Sequence, residues 1–313
     1  MRRVLAWLLV AACAAWVAVR VLGLERGFPM VPLVAYTPLA AVGAVIVVVV
    51  VALLRVRIAA VAAALLAVVL VVSVAPRALG GPSEPEGRPG PVVRVLSVNM
   101  HFGTGSASAL VALARRERAD VLSVQELTPR LAAELDAAGL GELLPERVGA
   151  PRDRGAGIAL YARFPLEDVA VPGRRRNPLA AASASLDSGA GVELVAVHAP
   201  APQSRQGTVD WRADLRAFPP ATPGGPVRIL AGDFNATLDH AELRRLLDTG
   251  YEDAAASVGA GLRATWPNGR RLPPPVAIDH VLADERCGVR AFSVHPIPGT
   301  DHRAVLAELV LPR

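Results

Sequence analysis

Eight polar side chains follow or interrupt apolar segments in the last two-thirds of the 313-residue chain. They are Asn99, Glu126, His198, Asp233, Asn235, Asp279, Asp301 and His302. Carboxylate and amide oxygens are the ligands that Mg²⁺ and Mn²⁺ prefer, and histidines can contact phosphoryl oxygens. Because a phosphodiester is anionic, its hydrolysis requires neutralised charge and a water molecule placed in line with the leaving oxygen. The residue types therefore match metal-assisted attack of water on a phosphoester.

Each of these residues has a simpler explanation when it is considered alone. An Asn or Glu at the end of a strand commonly forms a turn, and the segment G-D-F-N around Asp233 is typical of a tight turn. The Asp-His pairs that begin at Asp279 and Asp301 could be caps or surface pairs. The occurrence of the whole set in this order, within one globular region, favours the functional interpretation.

Alternating apolar runs and amphipathic segments predict the elements that position these side chains. Strands are predicted at residues 92–99, 120–125, 157–163, 179–186, 192–199, 227–233, 277–283, 289–295 and 304–311. Helices are predicted at residues 107–118, 129–138, 209–218 and 241–247. Many strands with interspersed helices predict layered α/β packing, with sheets inside and helices outside. Because the polar side chains lie at strand ends, we expect them to face a common rim.

The ordered set strongly resembles the endonuclease/exonuclease/phosphatase superfamily, which includes deoxyribonuclease-I-like nucleases, sphingomyelinases and inositol-phosphate phosphatases. The resemblance covers residues 92–311, and G-D-F-N followed by a late D-H is its most specific part. T-W-P at residues 265–267 is also similar to the family. The resemblance implies a four-layer α/β sandwich, in which two packed mixed β-sheets are flanked by helices.

The resemblance also implies a role for each matched residue. Glu126 is similar to the family's principal metal-ligand glutamate, with Asn99 beside it as a ligand or water holder, and Asp301 is similar to a further metal-side carboxylate. The expected cofactor is Mg²⁺ or Mn²⁺. Whether one or two metal ions act remains open at this point.

Five matched residues are similar to the family's catalytic groups. Asp233 is similar to the residue that activates the attacking water, and Asn235 to its neighbour that contacts phosphate and water. His302 is similar to the catalytic histidine, and Asp279 to the aspartate that orients it and keeps it cationic. His198 occupies the position of a phosphate-contacting histidine. The sequence leaves open whether Asp233 or His302 is the general base.

Three uncharged or nearly uncharged apolar segments precede this region, at residues 4–24, 31–54 and 58–75. Since about 20 apolar residues cross a bilayer, we predict three transmembrane helices. The alternative for the first segment is a cleavable signal peptide, because Arg2 and Arg3 precede it. The predicted organisation is a membrane anchor at residues 1–76, a Pro/Gly-rich linker at 77–91 and a catalytic domain at 92–313.

The arginines near the apolar segments predict the topology. Four lie before the first segment or between the second and third: Arg2, Arg3, Arg55 and Arg57. A weaker cluster follows the first segment: Arg20, Glu25 and Arg26. The positive-inside rule places the larger cluster in the cytoplasm, so three crossings predict an extracytoplasmic catalytic domain in a multi-pass membrane protein.

The positive charge of the chain does not indicate a nucleic-acid partner. Residues 1–77 contain seven arginines and one glutamate, which leaves 26 arginines and 27 acidic residues for the remainder. Because the catalytic domain is expected to lie outside the cytoplasm, the candidate substrates are phosphoesters met there: nucleic acid, a phospholipid headgroup or a cell-envelope phosphodiester. The leading hypothesis is a phosphodiesterase or nuclease, and the alternatives are a lipid or sugar-phosphate phosphatase and a non-catalytic binding domain. Nothing in the sequence indicates an obligate protein partner.

The remaining histidines and the cysteines receive structural interpretations. His280 is predicted to point away from the site because it follows Asp279 on a strand. His101, His240 and His295 are also interpreted as structural. The arginine run at residues 174–176 is most simply a solvated loop, with contact to an anionic substrate or to lipid headgroups as the alternative. Two cysteines in different regions do not indicate an internal disulfide.

Overall fold

The computed structural model of the protein describes residues 1–85, 89–171, 179–186, 191–270 and 272–313. The arginine run at 174–176 lies outside the described residues. The N-terminal part contains four helices: α1 (Arg2–Leu22), α2 (Met30–Val34), α3 (Thr37–Leu53) and α4 (Arg57–Val74). A 3₁₀ turn at Ala75–Ala78 extends α4.

The predicted second membrane segment, residues 31–54, forms two helices rather than one. The short helix α2 ends before Tyr36, and α3 begins at Thr37 with a proline in its first turn. Proline is tolerated there because the first amides of a helix have no intrahelical acceptor. Among the described residues, Arg2–Leu22 and Arg57–Ala78 are long and apolar enough to cross a membrane, whereas Thr37–Leu53 has 17 residues. The structure thus supports two candidate spans and a shorter third helix.

The apolar helices pack through small residues. Ala6, Ala59 and Ala63 are fully buried between α1, α3 and α4. Large aliphatic side chains point outward instead, for example Ile46 and Leu65, which are more than half exposed. Small residues between helices and large apolar residues on the outside are typical of helices that pack in lipid.

The remainder of the described chain contains twelve strands in two sheets. The strands are β1 (Pro89–Asn99), β2 (Val121–Gln125), β3 (Glu146–Ala150), β4 (Ile158–Ala162), β5 (Leu166–Asp168), β6 (Ala180–Ser185), β7 (Gly191–His198), β8 (Arg228–Asp233), β9 (Tyr251–Asp253), β10 (Asp279–Asp284), β11 (Gly288–Pro296) and β12 (Arg303–Pro312). The first sheet has the order β11-β12-β1-β2-β4-β3, and the second β5-β6-β7-β8-β10-β9. Only β1 with β2 and β7 with β8 pair in parallel; the other described pairs are antiparallel.

Helices cover the outer faces of both sheets. They are α5 (Ala107–Arg116), α6 (Pro129–Ala137), α7 (Leu140–Leu143), α8 (Arg205–Arg216), α9 (Ala241–Leu247) and α10 (Ala254–Ser257). Ser106, Thr128 and Ser204 accept a backbone hydrogen bond at the starts of α5, α6 and α8, which supplies partners for amides that lack one within the helix.

Side-chain alternation along the strands creates three apolar layers. Val95 and Leu194 contribute to the core between the two sheets. Leu96, one residue after Val95, faces the opposite way and packs with Leu110 of α5. On the far side of the second sheet, Trp211 of α8 is completely buried. Two mixed sheets with helices on both outer faces confirm the expected α/β sandwich.

All nine predicted strands and all four predicted helices of this region are present, with small differences at their ends. Three strands were not predicted from the sequence: β3, β5 and β9. Each lies at the edge of a sheet and has five residues or fewer. Short edge strands lack a continuous apolar pattern because one of their sides faces solvent.

The Pro/Gly-rich segment after α4 contacts strand β11 near the end of its described part. The Ser83 amide donates to the carbonyl of Val289, and the Val289 amide donates to the Ser83 hydroxyl. Glu84 pairs with Arg290, also on β11. Ser83 and Glu84 therefore lie against β11, the edge strand of the first sheet.

Candidate active site

The candidate site lies where six strand ends meet between the two sheets. Asn99 and Gln125 end the parallel pair β1 and β2, and His198 and Asp233 end the parallel pair β7 and β8. Antiparallel pairing brings the start of β10 to the same place, since Asp279 lies opposite Asp233. His302 directly precedes β12, which is antiparallel to β1. The expected common rim is therefore a consequence of strand direction.

A cavity of about 590 Å³ opens at this rim. Seven of the eight sequence-predicted residues line it: Asn99, Glu126, His198, Asp233, Asn235, Asp301 and His302. The eighth, Asp279, is buried behind His302.

The Asn99 amide connects two carboxylates across the rim. Its Nδ2 donates to Glu126 Oε1 at 3.0 Å and to Asp233 Oδ2 at 3.1 Å. Its Oδ1 accepts the His101 amide at 2.9 Å. In this arrangement Asn99 holds Glu126 of the first sheet and Asp233 of the second sheet at a fixed separation.

His302 lies between two buried carboxylates. Its Nδ1 is 3.0 Å from Asp279 Oδ2, and its Nε2 is 3.7 Å from Asp233 Oδ2. The Nδ1 contact with Asp279 directs Nε2 toward Asp233 and the cavity. Thr265 contributes to this geometry because its hydroxyl accepts the Asp279 amide at 3.1 Å.

The electrostatics of this group follow from burial and from neighbouring charges. Burial raises the pKa of Asp233, and although the positive charge of His302 opposes this effect, the result is about 7. Burial alone would lower the pKa of His302, but the carboxylates of Asp279 and Asp233 outweigh it and raise the pKa to about 10. His302 therefore keeps its proton at neutral pH, while Asp233 can exchange one.

Asp301 is positioned by two residues whose contribution the sequence did not reveal. Its Oδ1 is 2.7 Å from His101 Nδ1, and its Oδ2 accepts the Trp266 indole N–H at 3.0 Å. The interpretation of His101 as merely structural is therefore corrected, since it lines the cavity and contacts Asp301. The T-W-P motif contains both Trp266 and Thr265, so this motif was the available signal for the supporting residues.

His198 and Asn235 lie on the second-sheet side of the cavity. His198 Nε2 is 3.6 Å from Glu126 Oε1, and burial lowers the pKa of His198 despite the nearby glutamate. The Asn235 amide donates to Asp233 Oδ1 at 2.8 Å, and its Nδ2 donates to the carbonyl of Ala199 at 2.9 Å. A neutral His198 can act as a hydrogen-bond donor toward a phosphoryl oxygen.

Unusual backbone conformations concentrate at the cavity. Five lining residues other than glycine have positive φ: His101, Phe102, Glu126, Arg154 and Asn235. Such conformations cost free energy and persist where the surrounding structure maintains them, which is common at active sites.

Gly155 shows how closely the backbone approaches one of these residues. A Cβ at Gly155 would lie 2.9 Å from Glu126 Oε2 and 2.7 Å from the Phe102 ring. Only glycine leaves room there for the glutamate in its present orientation.

The donor set fits a divalent cation. Glu126, Asp233 and Asp301 bring carboxylate oxygens to one cavity, and such oxygens are the ligands of hard cations. Ligand atoms of Asp233, Asp279 and His302 also lie within 4.8 Å of one another. Because His302 is protonated and already paired with Asp279, we favour the Glu126 side of the cavity as the metal site.

Three other histidines are structural. His280 is buried, contacts Asp253 Oδ2 at 2.7 Å and lies close to the carbonyl of Ala236. Its side chain points away from the cavity, as the strand alternation predicts. His240 borders the cavity, but both of its ring nitrogens are engaged by the backbone: Nδ1 accepts the Thr237 amide and Nε2 contacts the carbonyl of Val31. His295 contacts the Ser293 hydroxyl on β11. The two cysteines are free, as expected.

The fold and the site together define a class, the α/β sandwich hydrolases with a carboxylate–histidine centre between two sheets. A model of the Endonuclease/Exonuclease/phosphatase family matches residues 96–302. This match spans well over half of the chain, and the chain belongs to that family, whose members are phosphoester hydrolases.

Solved structures show the same fold at low sequence identity. An endonuclease/exonuclease/phosphatase from Beutenbergia cavernae is 20% identical with a TM-score of 0.54, and the match covers 72% of each chain. Truncated TDP2 from Caenorhabditis elegans is 20% identical with a TM-score of 0.57, over 70% of this chain and 98% of that one. A family protein from Bacteroides vulgatus is 18% identical with a TM-score of 0.53, over 71% and 100%. No curated protein matches this chain.

Proposed function

We propose that this chain is a membrane-anchored, divalent-metal-dependent phosphodiesterase of the nuclease type. The observation that carries the proposal is the position of His302 between Asp279 and Asp233, beside a cavity that Glu126 and Asp301 also line. Family membership supports the reaction class, and the residues at the rim supply the groups that this reaction requires.

The proposed step is the attack of water on phosphorus. Asp233 accepts the proton of the water as its oxygen bonds to phosphorus, while the bond from phosphorus to the leaving oxygen breaks. The Nε2 proton of His302 stabilises the negative charge that develops on the phosphoryl group, and Asp279 keeps His302 cationic and oriented. Asn235 and His198 are positioned to contact the phosphoryl oxygens or the water.

The proposed metal ligands are Glu126 and Asp301, with Asn99 holding Glu126 in place or binding a metal-bound water. When bound, Mg²⁺ or Mn²⁺ would neutralise charge on the phosphoryl oxygens. Asp301 is kept in orientation by His101 and Trp266. These roles extend beyond what family membership alone establishes.

The proposed location is the cell membrane, with the anchor at residues 1–76, the linker at 77–91 and the catalytic domain at 92–313 outside the cytoplasm. The outward-facing aliphatic residues of α1, α3 and α4 support the anchor. At 1.5 Å per residue, α3 spans roughly 25 Å, slightly less than the hydrocarbon thickness of about 30 Å. Arg20 lies on the proposed outer side but pairs with Asp239, so the outer positive cluster is weaker than its sequence indicates.

The test is hydrolysis of bis-p-nitrophenyl phosphate by the full chain in detergent, with Mg²⁺ or Mn²⁺ and with a chelator. We expect turnover that requires the metal and is lost with the chelator. Glu126→Gln should require at least tenfold more metal for half-maximal rate, because it removes a charged ligand from the proposed metal site. Glu134→Gln is the matched control, since Glu134 pairs with Arg130 on the surface of α6. Turnover that is insensitive to the chelator would contradict the proposal.

A further inference from the structure

The end of α1 and the segment that follows it are held on the catalytic domain by hydrogen bonds. Arg212 of α8 donates to the carbonyl of Glu25 at 2.7 Å, and Arg244 of α9 donates to the carbonyl of Arg20 at 2.8 Å. The Glu25 carboxylate accepts the Ala241 amide at the start of α9. We call residues 23–36 the anchor loop.

The anchor loop also shares the apolar core of the domain. Val31 is completely buried in the cluster that contains Trp211, and its carbonyl contacts His240. A Cβ at Gly23 would lie 2.9 Å from the Cβ of Ala241, so the chain passes directly over the start of α9. The loop is thus a packed part of the domain surface.

Two arginines from different helix ends fix this arrangement. Arg20 at the end of α1 and Arg77 after α4 both bind Asp239, whose side chain is completely buried, at 2.8 and 2.5 Å. Asp239 belongs to the same chain segment as Asp233 and Asn235. The anchor helices therefore hold the catalytic segment at a set position relative to the proposed bilayer.

The anchor loop forms one wall of the catalytic cavity. Pro32, Ala35 and Tyr36 line the same cavity as Asp233 and His302. Tyr36 directly precedes the first residue of α3. Tyrosine is common at the boundary between lipid and water, because its ring is apolar and its hydroxyl is polar. The cavity consequently reaches from the proposed catalytic groups to the start of α3, the shortest of the three long helices in the proposed anchor.

Exposed apolar side chains accompany this wall. Phe102 lines the cavity and is 58% exposed, and Leu33 on the anchor loop is 42% exposed. The cavity volume of about 590 Å³ lies within the range of roughly 300–1,000 Å³ that encloses a small molecule. Its lining thus combines an ionic end at Asp233 and His302 with an apolar end at Tyr36.

We propose that the substrate is a phosphoester carried by a membrane lipid. Its phosphoryl group binds between Glu126 and His302, and its apolar chain leaves along Tyr36 and the start of α3 into the bilayer. The proposal rests on the metal-dependent phosphodiesterase function proposed above. The near-equal numbers of arginines and acidic residues after residue 77 also disfavour a polyanionic substrate, which requires an excess of basic residues.

The test compares two phosphodiesters with the same leaving group, one with a lipid-like alkyl chain and one soluble. They are hexadecyl p-nitrophenyl phosphate and methyl p-nitrophenyl phosphate. Both release p-nitrophenolate when water attacks phosphorus, so they differ only in the apolar chain. With the full chain in nanodiscs and Mn²⁺, we expect kcat/KM to be at least tenfold higher for the hexadecyl diester. We call the quotient of the two values the chain preference.

Variants separate recognition by the site from simple partitioning into the nanodisc, which is identical for all of them. Tyr36→Ala should reduce the chain preference at least fivefold, whereas Tyr36→Phe should retain it because the ring remains. Leu65→Ala is the matched control on the outer surface of α4, where Leu65 is 64% exposed, and should leave the chain preference unchanged.

The outcomes distinguish this proposal from the proposed function. If neither diester nor bis-p-nitrophenyl phosphate is hydrolysed with Mn²⁺, the phosphodiesterase function fails and the lipid substrate fails with it. If the methyl diester or plasmid DNA is hydrolysed as fast as the hexadecyl diester, the phosphodiesterase function stands and the lipid substrate is wrong. An unchanged chain preference in Tyr36→Ala also overturns the lipid proposal.

Discussion

Two buried carboxylates within one chain segment have opposite surroundings. Asp233 faces His302 at 3.7 Å and opens to the cavity, whereas Asp239 is bound by Arg20 and Arg77 and its side chain is completely buried. Arginine stays protonated at any accessible pH and offers several donors in a fixed plane, while histidine can release its proton. We infer that the arginine partners of Asp239 form a permanent ion pair that holds the anchor helices on the domain. The histidine partner of Asp233, in contrast, leaves this carboxylate able to transfer protons.

The contrast extends to the energetics of the two sites. Asp239 accepts three arginine hydrogen bonds, so the cost of burying its charge is offset by donors that stay charged at any accessible pH. Asp233 accepts bonds from Asn99 and Asn235, both uncharged, and burial raises its pKa to about 7. Incomplete compensation at Asp233 is consistent with a group that must change its charge during a reaction.

The largest expected effect is the loss of activity when the titratable partner is removed. We expect His302→Asn to reduce kcat on bis-p-nitrophenyl phosphate by about 10²–10⁴-fold, since it removes the cation that faces Asp233 and the phosphoryl group. His295→Asn is the matched control on β11 and should keep the full rate. Circular dichroism should show both variants folded. Retention of more than about a tenth of the activity by His302→Asn would remove His302 from the catalytic group.

The second effect concerns stability and tests whether the ion pairs of Asp239 with the two arginines stabilise the folded protein. We expect Asp239→Ala to lower the free energy of unfolding by about 3–5 kcal/mol, because two buried arginines lose their shared counter-ion. The measurement is denaturant unfolding of the full chain in detergent.

A paired comparison of two arginine variants checks that this stabilisation depends on the buried arginines. Arg20→Ala should destabilise the protein, while Arg26→Ala, an exposed arginine in the adjacent anchor loop, should leave the unfolding midpoint unchanged. Equal midpoints for Arg20→Ala and Arg26→Ala would show that the ion pair with Asp239 contributes nothing to stability.

The smallest expected effect is a shift of the pH profile. Asp233 must be deprotonated to accept a proton, so kcat/KM with Mg²⁺ should fall as pH decreases below about 7. His302 must be protonated, so activity should fall as pH rises through about 10. Asp279→Asn removes a negative charge that raises both pKa values, and both limbs should move to lower pH. An unchanged alkaline limb in Asp279→Asn would separate Asp279 from the protonation of His302.

Much of the catalytic region could be predicted from the sequence, because the relevant information is local. Alternation of apolar residues reveals strands such as β8, and G-D-F-N marks the turn that follows it. The missed strands β3, β5 and β9 are short and lie at edges, where the apolar pattern is weak. His101 was misjudged because its role depends on Asp301, which is 200 positions away in the sequence and 2.7 Å away in space.

By itself, the sequence determined nine of the twelve described strands, the residue types at their ends, the apolar segments and the location of the charge. These properties depend on neighbours in the chain. Tertiary structure alone decided that Asp233 meets His302 and that Asp239 meets Arg20 and Arg77. It also decided that Tyr36, next to the apolar helix α3, shares a cavity with the proposed catalytic groups. Which residues form an ion pair, and which residues line a cavity, depends on which distant segments of the chain pack together. No local sequence pattern encodes this packing.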